Sequence, residues 1–231
     1  MIIIFVNNIP ANGKSTACLC LANAINELPG NDDTEMIVFD CDPSFPSYKK
    51  YEESTKNYKN PLNNFQMNRL DLSNQEMVNL TVHSIKDKHG FYLFDIPAMA
   101  EIDTYLRLLV SSHLIMIPIQ PSRKDDPKVM EYLTYIVNLH FIIQKKTKGS
   151  GLRIMLIPIH INDKDAEFSL NPNPALPIKA TSPILYFENL SDNIIPLKTD
   201  NISYACYQDY LKDILQLTKH ISQQIENRNL N

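Results

Sequence analysis

A stretch near the start of the chain combines the residue types that bind phosphate. Residues 2–6 are apolar and mostly β-branched, which predicts a buried strand, and the loop after them ends in Gly13, Lys14 and Ser15. Gly13 allows the backbone to pass close to an anion, and a helix that begins at Lys14 directs free N–H groups at that anion. Lys14 adds a mobile cation, and the Ser15 hydroxyl suits Mg²⁺. The stretch therefore predicts a site for the phosphate groups of a nucleotide.

The phosphate-loop pattern G-x-x-x-x-G-K-[ST] is incomplete in this chain. It requires glycine at position 8, where Asn8 stands, and asparagine tolerates a positive φ better than other non-glycine residues. Because Gly-Lys-Ser also occurs often by chance, an ordinary strand-to-helix turn is the alternative. The position of the motif between an apolar strand and the helical run 17–28 favours the phosphate loop.

Three carboxylates follow two further predicted strands. Asp40 and Asp42 follow the apolar residues 36–39, and Asp95 follows residues 91–94. Ligands of a parallel sheet bind beyond the carboxyl ends of the strands, where a carboxylate can hold Mg²⁺ through water. Asp95 has the apolar run expected of a Walker B acid, and Asp42 is placed to orient or activate an attacking water. Each acid alone is more often a strand cap or turn former, but all three after a phosphate loop indicate one site.

Apolar runs and helical periodicity alternate along the chain. Strands are predicted at 2–6, 36–39, 65–70, 91–97, 113–119, 154–159 and 184–187. Helices are predicted at 15–28, 73–88, 100–110, 127–144 and 203–226. Ser73 and Glu76 form a capping-box pattern, and Pro127 suits a first helical turn. Residues 44–64 predict a switch-like loop with one short helix, and residues 162–182 predict an irregular surface excursion.

This alternation predicts an α/β fold of the P-loop NTPase type, with a mostly parallel central sheet and helices on both faces. The sequence contains no internal repeat and no low-complexity linker. We therefore expect residues 1–231 to form a single domain.

Composition limits the functions open to the chain. A formal net charge of -4, with 21% charged residues, provides no global attraction to DNA or to an acidic membrane. The cysteines lack metal-binding spacing and are expected to be reduced and mostly buried; they are Cys18, Cys20, Cys41 and Cys206. No signal peptide is expected, and no run approaches the ~20 apolar residues that span a bilayer. A cytoplasmic protein is expected.

The motifs resemble those of the ParA/MinD group of deviant Walker ATPases, which are SIMIBI-class P-loop NTPases. That group shows K-G-G-x-G-K-[ST]-T, a strand ending D-x-D-P, the run h-h-h-h-D-x-P-P and a strand ending V-P-x-x-P. The matching stretches here are residues 9–16 (IPANGKST), 39–43 (FDCDP), 92–98 (YLFDIPA) and 117–121 (IPIQP). Their combination is specific, and it covers about the first half of the chain.

The resemblance implies an ATP site with Mg²⁺ in which the loop surrounds the phosphates. The loop residues are Pro10, Ala11, Asn12, Gly13, Lys14, Ser15 and Thr16. By the same resemblance, Lys14 binds the β- and γ-phosphates, and Ser15 and Asp95 hold the metal. Asp40 then lies next to those ligands without binding the metal directly, and Asp42 positions the hydrolytic water.

The chain departs from the group at the start of the loop. The signature lysine, which reaches the nucleotide of the partner subunit, corresponds to Ile9, and the two glycines after it correspond to Pro10 and Ala11. Ile9 carries no charge, and Pro10 lacks an N–H that could face phosphate. The second proline of the Walker B stretch is Ala98. ATP hydrolysis is therefore expected to be slow, stimulated by a partner, or absent.

The resemblance implies a nucleotide-dependent homodimer that works with a partner adaptor or a DNA-binding protein, and with nonspecific DNA as a further partner. A membrane partner is not expected. The first hypothesis is an ATPase for partition or positioning of plasmid or mobile-element DNA, or of a conjugation or secretion complex. The second is a degenerate nucleotide-binding adaptor in such a complex. A P-loop kinase or ligase is a third, and its expected basic lid has only Arg123 and Lys124 as candidates.

Two basic or amphipathic features have ordinary explanations. Lys145, Lys146, Lys148 and Arg153 form a turn that is either solvated or a contact for DNA phosphates. The predicted closing helix has a polar face of mixed charge, which favours packing on the sheet over membrane binding.

Overall fold

A central parallel sheet organises the described part of the chain in the computed structural model. The described residues are 1–10, 13–26, 35–57, 65–98, 100–120, 126–146, 153–161, 178–180, 184–185, 212 and 216. The strands are β1 (Ile2–Phe5), β2 (Glu35–Asp40), β3 (Gln66–Arg69), β4 (Gly90–Asp95), β5 (Leu114–Ile119), β6 (Arg153–Ile161), β7 (Ile178–Ala180) and β8 (Ile184–Leu185). The helices are α1 (Lys14–Asn26), α2 (Pro46–Asn57), α3 (Gln75–Ile85), α4 (Ile102–Ser111) and α5 (Pro127–Lys146).

The strand order places β1 inside the sheet. The order is β3-β2-β4-β1-β5-β6-β7, with β8 also paired to β6. Every pairing among the described strands is parallel, which confirms the predicted α/β fold. In this register Asp95 lies beside Phe5 on one side and beside Asp40 on the other. The acids that end β2 and β4 therefore lie next to the loop that follows β1.

The two faces of the sheet bury separate apolar clusters. Ile2 and Ile4 belong to a cluster covered by α3, α4 and α5, whereas Ile3 and Phe5 belong to a cluster covered by α1. This alternation follows from the two-residue period of a strand, since every side chain of β1 is buried. Helices lie on both faces, as predicted.

Helix α2 is longer than the sequence predicts. Residues 44–64 predict a switch-like loop with one short helix, but α2 has 12 residues and takes up much of that stretch. The Asp40 carboxylate accepts the Tyr48 N–H at 2.9 Å and so satisfies a donor in the first turn of α2. Tyr48 and Tyr51 also pack against the α1-side cluster. Both stabilising contacts are tertiary, so the local polar composition does not reveal them.

The predicted capping box of α3 is wrong. Asn74, and not Ser73, is the N-cap, and its side chain accepts the Met77 N–H at 3.1 Å. The N–H and hydroxyl of Ser73 both donate to Asp71 Oδ1, at 2.9 and 2.7 Å. The Asn74 carbonyl accepts the Val78 N–H at 3.0 Å, so the helical hydrogen bonding begins one residue later than a Ser73 cap requires.

Several predictions for the last third of the chain lie mostly outside the described residues. Strand β7 falls within 162–182, where an irregular excursion is predicted, and β8 begins at Ile184 as predicted. Only Lys212 and Gln216 are described within the predicted closing helix 203–226, and both are helical. Among the described helices, none is both long and apolar enough to cross a bilayer.

Candidate functional site

Two asparagines fix the backbone where β1 runs into the loop. Asn7 is 3% exposed; its side-chain amide donates to the Pro118 carbonyl, and its Oδ1 accepts the Ile9 N–H at 2.9 Å. The Asn8 amide donates to the Lys128 carbonyl at 3.1 Å. These bonds join the loop to β5 and to the first turn of α5. Sequence patterns indicate neither contact, because both join residues more than a hundred positions apart.

Gly13 forms the turn into α1. Its φ is 64°, a left-handed conformation that glycine adopts without steric cost. The Gly13 carbonyl accepts the Ala17 N–H at 2.8 Å, so the helical hydrogen bonding of α1 begins at this residue. The N–H groups of the first turn of α1 are therefore directed toward the loop, where they and the helix dipole favour an anion.

Lys14, Ser15 and Asp95 form the centre of the site. The Ser15 hydroxyl hydrogen-bonds the Asp95 carboxylate, and Lys14 interacts electrostatically with both Asp95 and Asp42. Lys14 is 8% exposed and Asp95 is 7% exposed. Burial lowers the pKa of Lys14, and the two carboxylates oppose that shift.

Burial dominates the titration of Asp95. It raises the pKa of Asp95 to about 7, although the Ser15 hydrogen bond and the Lys14 charge lower it. The negative charges of Asp40 and Asp42 raise the pKa further. A buried carboxylate with this pKa lacks sufficient positive charge around it, which a bound cation would supply.

Asp40 serves the structure of the following turn. Its Oδ1 accepts the Asp42 N–H at 3.1 Å, and its Oδ2 accepts the Tyr48 N–H at 2.9 Å. The Asp40 side chain is buried, and burial raises its pKa while the backbone donors of Tyr48, Asp42 and Ser47 lower it. These bonds fix residues 42–48, and the role of Asp40 behind the metal ligands stays a prediction.

Asp42 occupies a tight turn at the end of β2. Its Oδ1 accepts the Ser44 N–H at 2.8 Å and the Ser44 hydroxyl at 2.5 Å, and its carbonyl accepts the Phe45 N–H at 2.8 Å. Phe45 has a φ of 48°, which is uncommon for a bulky residue and marks this turn as strained. The Arg69 guanidinium lies 5.7 Å from the Phe45 ring and 4.8 Å from the Tyr48 ring. These contacts fix the turn that carries Asp42, whose carboxylate interacts electrostatically with Lys14.

The remaining predicted site residues lie around this centre. Pro10 is exposed, Thr16 is half-buried in α1, and Ala11 and Asn12 lie outside the described residues. Ile9, at the position of the signature lysine, is 7% exposed and belongs to the cluster under α3 to α5. Residue 9 therefore lies in the apolar core.

The donor set fits a magnesium ion that is held jointly with phosphate. Ser15 and Asp95 place a hydroxyl and a carboxylate side by side, and both are oxygen ligands of the kind that Mg²⁺ prefers. Within the described ranges, no group of three or more His, Cys, Asp or Glu side chains is arranged to hold a metal by itself. Mg²⁺ commonly takes one or two protein ligands and completes its coordination with water and substrate phosphates.

Comparison with known proteins establishes the fold. No protein-family model matches the chain, and no curated protein sequence matches it. Many solved structures are similar to this chain, among them three that cover most of it. An ATP complex of a McdA variant from Cyanothece has a TM-score of 0.62 and 13% identity, and covers 93% of this chain and 94% of its own. MinD from Pyrococcus horikoshii with Mg-ADP has a TM-score of 0.56 and 15% identity, and the match covers 95% of this chain and 98% of MinD.

The third similar structure is a plasmid partition protein from Borrelia burgdorferi. It has a TM-score of 0.55 and 18% identity, and the match covers 93% of this chain and 98% of that one. At these identities the likeness concerns the fold. Over most of its length the chain has the fold of the ParA/MinD/McdA P-loop ATPases.

Proposed function

We propose that the chain binds ATP with Mg²⁺ and hydrolyses it slowly or under the control of a partner, as a ParA/MinD-like ATPase. One observation carries this proposal: buried Lys14 and Asp95 and half-buried Ser15 lie together beside a left-handed glycine turn, with Asp42 within electrostatic range. That group combines a cation, an anion-binding helix start and metal-suited oxygens, which are the parts phosphoryl transfer uses.

Each residue has one role in the proposal. Lys14 and the N–H groups after Gly13 bind the phosphates, and Ser15 and Asp95 would hold Mg²⁺, which neutralises phosphate charge when bound. Asp42 orients the attacking water, and Asp40 keeps Asp42 in place through the hydrogen bond at 3.1 Å. The uncharged Asn7 and Asn8 fix the loop backbone.

The proposed biological role is partition or positioning of plasmid or mobile-element DNA, or of a conjugation or secretion complex. The similar fold of a plasmid partition protein and of MinD supports this role. The active form proposed is a nucleotide-dependent homodimer with a partner adaptor or DNA-binding protein. A formal net charge of -4 makes nonspecific DNA contact depend on a local basic surface.

A second function is favoured by Ile9. Its side chain is buried in the core. Residues 7–13 contain no charged side chain, so Lys14 is the first charged residue of the loop. A chain of this kind can bind nucleotide without efficient turnover and act as an adaptor. The two functions share the ATP site and differ in hydrolysis.

Phosphate release from radiolabelled ATP separates these functions. We expect measurable release by the wild type with Mg²⁺, and a decrease of about 100-fold or more in Asp42→Asn with ATP affinity retained, because only water activation is lost. ATP binding without release, with or without DNA, would instead support the adaptor. Transfer of the label to a small molecule would identify a kinase and contradict both.

A further inference from the structure

We propose that Lys128, in the first turn of α5, is a second phosphate-binding cation of the ATP site. The proposal rests on the proposed nucleotide-binding function and adds a residue from a distant part of the chain. It follows from two observations: a hydrogen bond that joins α5 to the loop, and a shortage of positive charge around the phosphates.

The hydrogen bond brings Lys128 to the loop. Its carbonyl accepts the Asn8 amide at 3.1 Å, although the two residues are 120 positions apart. The Lys128 N–H donates to Asp126 Oδ1 at 2.9 Å, and the Asp126 carbonyl accepts the Met130 N–H at 3.0 Å. The backbone around Lys128 is thus held on both sides. The side chain is exposed, so its four-carbon stem is free to extend toward a ligand in the loop.

The charge around the loop is unbalanced. Residues 7–13 contain no charged side chain, so Lys14 is the only cation that the loop itself provides. Lys14 already faces the carboxylates of Asp95 and Asp42. A bound triphosphate carries more negative charge than Mg²⁺ and one shared lysine can neutralise together. Phosphoryl-transfer sites usually contain a further cation. Among the described lysines outside the loop, Lys128 is the one with an observed backbone hydrogen bond to it.

Titration calorimetry of Mg-ATP against Lys128→Gln tests the proposal, with Lys145→Gln as the matched control. Lys145 is an exposed lysine on the same helix, about 25 Å along its axis. We expect Lys128→Gln to weaken ATP binding about 5- to 30-fold and Lys145→Gln to change it less than twofold. Lys128→Arg keeps the charge and should restore most of the affinity.

Two further measurements separate an effect of the substitution on ATP binding from an effect on folding. In Lys128→Gln the slope of log Kd against log salt should be smaller than in the wild type, because one ionic contact is lost. Its urea midpoint without nucleotide should be close to that of the wild type, because the Lys128 side chain is exposed. Equal ATP affinity of Lys128→Gln and Lys145→Gln overturns the inference and leaves the ATP site intact. A wild type that binds no ATP overturns the proposed function together with the inference.

Discussion

Asp95 is where stability and proposed function oppose each other most directly. The carboxylate is 7% exposed, and burial raises its pKa to about 7. Its folded pKa lies above the usual 3.8, so the folded chain binds more protons than the unfolded chain between these values. The stabilising contribution of neutral Asp95 is therefore present below pH 4 and is lost as the pH rises through 7. At physiological pH without ligands, Asp95 destabilises the fold.

Asp95→Asn should consequently stabilise the ligand-free protein at pH 8 by about 2–4 kcal/mol, since each pKa unit corresponds to about 1.4 kcal/mol. The gain should shrink toward pH 4, where both side chains are neutral. Urea unfolding of the two proteins across this range measures the difference. The same substitution should remove ATP hydrolysis, because the carboxylate proposed to hold Mg²⁺ is gone.

Asp71→Asn is the control of opposite sign. Hydrogen bonds from Ser73 lower the pKa of this exposed carboxyl group, so its charged form supports the fold. Its replacement should slightly destabilise the protein at pH 8. An Asp95→Asn protein that is less stable than the wild type at pH 8 would contradict the account of Asp95.

Sequence reasoning finds the residues whose chemistry is local. The glycine before Lys14 and the carboxylates at strand ends are recognisable because residue type and position after an apolar run coincide. Asn7 and Asn8 are not recognisable in this way. Their partners are the backbone carbonyls of Pro118 and Lys128, which no spacing along the chain brings together. Two amides directly after a buried strand are the only signal they leave.

At the scale of elements, the bounds of the predicted strands and most helix starts agree with the structure to within about two residues, and α2 is the exception among the helices. Apolar runs predict β1, β2, β4 and β5 to within about two residues, because their burial on both faces removes the need for polar alternation. The start of α2 depends on the distant carboxylate of Asp40, and its first helical turn also depends on Tyr48 packing. These causes lie in the folded structure, so a local pattern cannot contain them.

The start of α3 yields a direct test of which residue caps it. Asn74→Ala removes the acceptor of the Met77 N–H and should cost about 1 kcal/mol of unfolding free energy. Ser73→Ala removes only a surface hydroxyl contact with Asp71 and should change stability by less than about 0.5 kcal/mol. Chemical denaturation of both variants measures this. A larger loss of unfolding free energy in Ser73→Ala than in Asn74→Ala would show that Ser73 caps the helix, as the capping-box pattern predicts.

At the scale of the whole molecule, the parallel sheet gathers the site. The strand order puts β4 between β1 and β2. The carboxyl ends of these three parallel strands therefore bring the loop, Asp95 and Asp40 together. The two apolar clusters on its faces anchor the strands that bear these residues. The predicted α/β architecture is confirmed at this scale, because alternating strands and helices limit the topology strongly.

The proposed homodimer is a property of the whole molecule. Sedimentation velocity should show a shift toward twice the monomer mass when Mg²⁺ and a non-hydrolysable ATP analogue are added to the wild type. Lys14→Met should remain monomeric under the same conditions, because it cannot retain the nucleotide that closes the dimer. A monomeric wild type with saturating nucleotide would favour the adaptor without a dimer cycle, since Ile9 supplies no charge for a partner subunit.

The most direct test of the central claim is the equilibrium binding of Mg-ATP to the wild type and to Lys14→Met. The claim is that the turn at Gly13 and the group of Lys14, Ser15 and Asp95 bind a triphosphate. We predict one site per chain and a loss of about 100-fold or more in Lys14→Met, since a charged phosphate contact in a buried site is removed. Circular dichroism establishes that the variant is folded. Equal affinity of the two proteins, or a wild type that binds no Mg-ATP, would contradict the claim.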